Sequence, residues 1–395
     1  MAAEKPSVLI IGGMGYIGRF LARYIHDNQL ASEYRLVDKK PPEIVWLAPE
    51  FEQACSRQYF MQKDASKQDA LQEIFNRADG KQWDYVFNCG GETRYSQGEE
   101  RYRALNLALS VAVAKEAAKR KVKCFVELST GSVYKPNSSP SQESDKLKPW
   151  SQMAVVKQEA EEALSKIEGF VTPDYSPTPT NTKLTPRRLN LVIARLAYVY
   201  GPYATQELST SLCLARVYQD FGEDLKFLWS KDLRMNSVHI DDVVRALWAM
   251  ATWYDSGKPN WDAEAMGDLP IFNVVDKGAT SQGTIAEIIS ELFGIKTTFQ
   301  GQLLSNFARL NMDSVVDDIN EDVLDPWGDM LREAGITKTI PLSPFMEKEL
   351  LKDTDLSMDG SRLEEVVGFK YEKPAVTKEL VQEVLESYKR MNWWP

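Results

Sequence analysis

Apolar positions in the first half of the chain follow two alternating rhythms. Short, mostly apolar runs of strand length occupy Val8–Ile11, Arg35–Val37, Tyr59–Gln62, Tyr85–Asn88, Cys124–Leu128 and Leu191–Leu196. Between several of them lie longer stretches with apolar residues three and four apart: Gly15–Asp27, Lys67–Asn76, Arg103–Arg120 and Met153–Ile167. Strands that are apolar at successive positions, not at every second one, are covered on both faces, and helices between them supply the cover. The pattern predicts an α/β fold built on a doubly wound parallel sheet.

The rhythm breaks at Gly169–Arg188, where Pro173, Pro177, Pro179 and Pro186 stand among Ser, Thr and Asn, the composition of an exposed insertion loop. Beyond about Tyr200 helical spacing dominates. Ser281 is placed to cap a helix over Gly283–Phe293, with Gly294 just past its end. The acidic stretch Ser305–Ser357 reads as irregular, a lid or a disordered excursion. The division expected is residues 1–200 as one sheet domain and residues 201–395 as a smaller, mainly helical substrate region, some of whose segments return to the first.

Composition narrows the function classes. With 43% apolar and 26% charged residues the chain is an ordinary globular protein. Its net charge of −10, with no compensating basic block, disfavours nucleic acid and anionic lipid as partners. No apolar run is long enough to cross a bilayer, and the start Met1–Pro6 has none of the marks of a signal peptide. Cys55, Cys89, Cys124 and Cys213 are far apart, which suits reduced thiols in a cytoplasmic setting and not a disulfide or zinc framework. Only His26 and His239 are histidines, so no multi-histidine metal site is expected.

Gly12, Gly15 and Gly18 follow the first strand directly and open a helix, with Tyr16 and Ile17 between the last two. Glycines there allow a tight turn, a close approach of pyrophosphate to the backbone, and close packing of helix on strand. The helix N-terminus adds free N–H groups and partial positive charge. Asp38 ends the second strand twenty residues after Gly18, where a carboxylate accepts hydrogen bonds from an adenosine ribose and repels a 2′-phosphate. Together these predict a Rossmann-type domain that binds NAD in preference to NADP, although Arg19, Lys39 and Lys40 blur the preference.

Further landmarks follow in order: Lys63-Asp64-Ala65, Val86-Phe87-Asn88-Cys89-Gly90-Gly91, Asn106, Phe125–Tyr134, Ala194–Pro202, Arg234–Asp242 and Phe272-Asn273-Val274. As a set they resemble the extended short-chain dehydrogenase/reductase superfamily, in its NAD-dependent epimerase/dehydratase branch. The resemblance implies cofactor contacts at Asp64, Ala65, Cys89, Gly90, Gly91 and Asn106. It also implies a catalytic Ser/Thr at Thr130, substrate contacts at Arg94, Thr130 and Arg234, and a homodimer through helices 103–120 and 153–167.

The same resemblance implies a tyrosine four residues before a lysine, on one face of a helix. The lysine would hold the nicotinamide ribose and lower the tyrosine pKa, and the tyrosine would exchange a proton with substrate. Here Lys157 is in place, but the tyrosine position is Met153, whose thioether has no exchangeable proton. Tyr59 with Lys63 and Tyr254 with Lys258 have the spacing but lie in a strand and a turn. Tyr134 and Tyr198 are the candidate substitutes; Tyr200, Arg94 and Glu92 are weaker ones, and His239 reads as architecture. Relatives acting on sugar nucleotides often carry an asparagine three residues after the arginine matching Arg195, and here that residue is Tyr198. Three readings stay open: an NAD-dependent enzyme on a small hydroxyl- or carbonyl-bearing substrate with another proton donor, a non-redox isomerase or lyase that keeps NAD as a structural element, or a non-catalytic NAD sensor or interaction protein.

Overall fold

The computed structural model describes residues 4–169, 187–300, 308, 311–349 and 351–395. Seven strands form one parallel sheet: β1 (Ser7–Ile11), β2 (Glu33–Asp38), β3 (Phe60–Gln62), β4 (Tyr85–Asn88), β5 (Cys124–Thr130), β6 (Leu191–Leu196) and β7 (Ile271–Val274). Their order across the sheet is β3-β2-β1-β4-β5-β6-β7. The winding direction therefore reverses between β1 and β4, which opens a crevice at the carboxyl ends of those two strands.

Alternation along each strand sends successive side chains to opposite faces. Val8 and Ile10 of β1 enter one core, with Val126 of β5 and Val192 and Ala194 of β6. Leu9 and Ile11 enter the other, with Phe125, Leu191 and Ile193. Both faces are apolar because both are covered. The first carries α1 (Tyr16–Asp27), through Phe20, Leu21, Ala22 and Ile25. The second carries α2 (Gln68–Phe75) and, beyond a short helix α3 (Glu99–Tyr102) and a π-helical segment (Arg103–Ala108), α4 (Leu109–Lys119). Leu164 of α5 (Gln152–Leu164) joins this second core. Burying each such side chain stabilises the fold by about 1.5–3 kcal/mol.

After β6 the chain builds smaller pieces around α6 (Leu208–Phe221) and α7 (Ile240–Asp255), and α7 packs beside α1. Tyr198–Tyr200 pairs in parallel with Ser237–His239, and Leu225–Phe227 with Thr297–Phe299. The helix Gln282–Phe293 is capped by Ser281, in a reciprocal box with Thr284, and is followed by Gly294 at φ +65°. The proline-rich residues 170–186 lie outside the described residues; at their flanks Glu168–Gly169 pairs antiparallel with Arg187–Arg188. Among the described residues no helix is long and apolar enough to cross a membrane.

One expectation needs correcting. The stretch 305–357 contains a 22-residue helix, Met312–Glu333, which buries Val316, Asn320, Val323, Trp327 and Met330. That spacing is helical, but carboxylates crowd it and Pro326 sits inside it, where a stop would be expected. Packing of the buried stripe outweighs the lost backbone bond. Residues 351–358 then run as a strap along the carboxyl edge of the sheet. Trp229 Nε1 donates to the Leu351 carbonyl at 2.7 Å, Lys352 Nζ to the Trp150 carbonyl at 3.1 Å, and the Arg234 amide to Asp355 at 2.8 Å. The Asn236 amide donates to the Leu356 carbonyl, and Met358 lies against Gly131, the residue after β5.

Candidate functional site

At the switch point the glycine turn has no room for side chains. Gly12 stands at φ +73°, and a Cβ there would lie 2.6 Å from the Gly90 nitrogen and 2.7 Å from the Cys89 carbonyl. The Gly12 and Gly13 amides donate to the Val37 carbonyl at 2.8 and 3.1 Å, locking the turn onto β2. A Cβ on Gly18 would run into the Gly12 carbonyl oxygen. Gly15 caps α1 without a side-chain hydrogen bond, and the first turn holds no acidic residue, so its N–H groups and dipole remain available to an anion. The Tyr16 hydroxyl is buried with no hydrogen-bond partner among the described residues. These residues fit a dinucleotide: a turn that admits only backbone, an uncapped helix N-terminus and an orphaned hydroxyl.

Asp38 closes the turn. Its Oδ2 accepts from the Met14 amide at 3.2 Å and its Oδ1 from the Lys40 amide at 3.1 Å. Arg19 is spent on carbonyls, those of Met14 at 2.8 Å, Gly15 at 3.2 Å and Trp46, so it braces the turn and does not wait for a 2′-phosphate. Asp38→Ala is expected to weaken NAD about 10- to 100-fold, the range of a charge-assisted hydrogen bond, and to narrow the preference over NADP. Titration with both nucleotides checks this; unchanged affinities would remove Asp38 from the site. On the next loop Asp64 is occupied by the Ser66 amide and hydroxyl, at 3.0 and 2.6 Å, and Ala65 is buried in the second core.

Across the crevice, Cys89–Gly91 meets α5. Lys157, four residues after the half-buried Met153, donates to the Leu128 carbonyl at 2.7 Å and stands 3.4 Å from Glu127. Its Nζ is 3.9 Å from where a Gly91 Cβ would be. Glu127 also accepts from Asn88 Nδ2 at 2.7 Å and Ser110 Oγ at 2.8 Å. Burial raises the Glu127 pKa, against the pull of Lys157 and these donors. Burial likewise pushes the Cys89 thiol up to about 12. Asn106, in the π-helical segment, uses its amide on the Glu92 backbone, at 2.8 and 3.0 Å. It shapes the Gly91 loop, its Oδ1 lying 2.7 Å from where a Gly91 Cβ would be.

Thr130 ends β5 half-buried, and its hydroxyl accepts from the Ser132 amide at 3.2 Å. Tyr134 is not free to move a proton: its hydroxyl donates to Asn273 Oδ1 at 2.7 Å, accepts from Arg195 at 2.8 Å, and its ring lies under that guanidinium. Arg94 is tied to Glu92 at 2.7 and 2.9 Å; hydrogen bonds from Arg94 and Arg101, working against partial burial, hold that carboxyl down at about 2. Arg234 donates to the Ala279 carbonyl at 3.0 Å. His239 caps α7 by accepting from the Asp241 amide, which needs a neutral ring, and burial lowers its pKa to about 4.

Two acidic groups of the site are absent from the sequence reading. Glu127 could have been noticed as the lone charge in an apolar strand. Glu207 carried no such signal, since it holds φ +47°, ψ −94° at the start of α6, a conformation in which glycine is expected. Its Oε1 accepts from Tyr95 Oη at 2.6 Å, and burial raises its pKa to about 7 against that bond. Tyr198 and Glu207 line one small, mostly apolar cleft, and the Tyr198 pKa is raised by burial and then by Glu207.

The sequence profile described as the NAD dependent epimerase/dehydratase family matches residues 8–264. No curated protein matches the sequence. Among solved structures, the Bordetella bronchiseptica enzyme WbmG in complex with NAD is 15% identical, covers 100% of this chain and 97% of its own, and has a TM-score of 0.63. UDP-glucuronic acid 4-epimerase from Bacillus cereus, in complex with UDP-glucuronic acid and NAD, is 16% identical over 98% of this chain and 99% of its own, at 0.60. UDP-N-acetylglucosamine 4-epimerase from Methanobrevibacter ruminantium, in complex with UDP-N-acetylmuramic acid, is 15% identical over 98% and 99%, at 0.59. At these identities the likeness is one of fold.

Proposed function

The chain belongs to the NAD dependent epimerase/dehydratase family, and from that premise we propose that it is an enzyme using NAD on a small hydroxyl- or carbonyl-bearing substrate, with a proton donor other than the residue at position 153. NAD, when bound, accepts or returns a hydride. Gly12, Gly15 and Gly18 would seat its pyrophosphate, Asp38 a ribose, and Lys157 the second ribose beside Gly91. Thr130 would hold a substrate oxygen at the end of β5. The observation that carries the reading is Lys157 Nζ beside the Gly91 loop, on the same helix as Met153 and next to the glycine turn. On this reading the glycine turn, Asp38 and Lys157 serve cofactor binding, while the phenol expected at position 153 is replaced by a thioether.

One observation favours a second reading. Lys157 already has a buried carboxylate, Glu127, and a carbonyl as partners, so its charge is satisfied within the protein. That suits a protein in which NAD is retained without turnover, as a structural group or a signal. A homodimer through α4 and α5 remains part of the proposal by family analogy alone.

Denaturing the purified protein and weighing the released nucleotide tests the first premise, with NAD expected. Absorbance at the reduced-nicotinamide band, followed with candidate hydroxylated substrates, separates the two readings. Met153→Tyr is expected to create or raise that signal at least tenfold, the lower range of general acid–base catalysis being about 100-fold. A folded, NAD-loaded variant that, like the native protein, gives no signal with any substrate would favour retention without turnover.

A further inference from the structure

Glu127 is the one charged residue of β5. Two positions beyond Phe125, it points to the same face of the sheet, into the second core. A carboxylate there needs partners to be tolerated. Three donors converge on it: Asn88 Nδ2 from the end of β4 at 2.7 Å, Ser110 Oγ from α4 at 2.8 Å, and Lys157 Nζ from α5 at 3.4 Å. Donors on both oxygens are the surroundings of an ionised carboxylate, since a protonated one must itself donate. Among the described residues it is the one carboxylate within ion-pair distance of Lys157. The other charges of α5 nearby are matched elsewhere, Glu161 with Arg195 and Glu159 with Arg103. Cys89, close to both Glu127 and Lys157, is kept neutral by its burial.

We propose that Glu127 is a positioning residue that divides the two duties of Lys157: it leaves the lysine a donor for the nicotinamide ribose and cancels the positive charge that would activate a phenol at position 153. The inference rests on the reading above that Lys157 holds the second ribose, and it says which half of that role survives. An ammonium has three N–H groups. One is given to the Leu128 carbonyl at 2.7 Å and one points to Glu127. The third has no partner among the described residues, and the Gly91 loop beside it is where the ribose would lie. Activation needs something more, a net charge. Residues four apart on a helix are about 5–6 Å apart, and an unpaired ammonium at that range lowers an acid's pKa by about 1–3. With a carboxylate held on the same ammonium the two fields largely oppose each other. Met153 and Glu127 thus belong together: where the lysine carries no free charge, a thioether at position 153 gives up little.

The test introduces the phenol and reads its ionisation directly, by NMR of ring-labelled tyrosine, with the added resonance identified against the Met153 parent. M153Y is expected to titrate above about 9.5, close to an ordinary tyrosine. M153Y/E127Q, which frees the lysine charge, should titrate at least one pH unit lower than M153Y. A value below about 9.5 in M153Y, or a smaller fall in the double variant, overturns the cancellation. Position 153 is only half-buried, so burial does not force the phenol high. The M153Y value therefore decides alone if the double variant does not fold. The donor half is tested by titrating NAD into E127Q/K157M, which has neither charge and keeps the fold. At least a tenfold loss of affinity is expected, the range of one hydrogen bond from a charged donor. Unchanged affinity overturns the donor half and with it the ribose assignment above. The phenol titrations need no nucleotide. A protein that never retains NAD is thereby a failure of the proposed function, and a phenol indifferent to E127Q a failure of this inference.

Discussion

Lys157→Met is expected to destabilise the fold by about 3–5 kcal/mol, the cost of leaving one partner of a buried ion pair alone. The lysine and Glu127 side chains are only 8% and 1% exposed, so water cannot replace the lost ammonium. What remains around Glu127 is Asn88 and Ser110, both neutral donors. The effect should depend on pH in a defined direction. Burial already places the folded Glu127 pKa above its ordinary value, and loss of Lys157 raises it further. A carboxyl whose folded pKa exceeds its unfolded one binds protons more tightly in the folded state, so stability falls as pH rises through that range. Urea unfolding at pH 5.5 and pH 8 should therefore show the larger loss at pH 8. The double variant with Glu127→Gln should recover most of it. A loss below about 1 kcal/mol, no more than an exposed pair is worth, would mean that the pair is not buried as described.

Gly12→Ala should be comparably severe for a different reason. A left-handed conformation costs a non-glycine residue about 1–2 kcal/mol. The new Cβ would also meet backbone, Gly90 and Cys89 at 2.6–2.7 Å, and no side-chain tip is there to swing away. β1 and β4 would have to part at the switch point. A total above about 4 kcal/mol is expected, with NAD affinity reduced at least 100-fold in whatever fraction folds. Chemical unfolding and nucleotide titration measure the two effects. Native stability with native affinity would contradict the close approach of the two loops.

The sheet was legible because its strands obey a rule that sequence displays directly. Val8 to Ile11 are all apolar, and the structure divides them between two cores, Val8 and Ile10 to one, Leu9 and Ile11 to the other. The glycine turn was legible because only glycine tolerates those contacts. The helix Met312–Glu333 was hidden by its own surface, since its carboxylates outnumber the buried stripe. Side-chain partners were beyond reach. Nothing in the spacing of Tyr134 says that Asn273 and Arg195, 139 and 61 residues away, occupy its hydroxyl. Glu207 was the least visible, because its backbone contradicts its residue type and only the surrounding packing holds it there.

The strap of residues 351–358 bears on time as well as place. It is stitched by four hydrogen bonds to two separate stretches of chain, Trp150 before α5 and the segment that carries Trp229, Arg234 and Asn236. Each stitch is modest, but they must be undone together for the strap to swing clear of the Gly131 loop. Whatever is seated beneath it would then leave at the pace of that unfastening. Residence time would be governed by residues that never touch the ligand, and trimming a single stitch such as Asp355 should quicken departure without altering what is recognised.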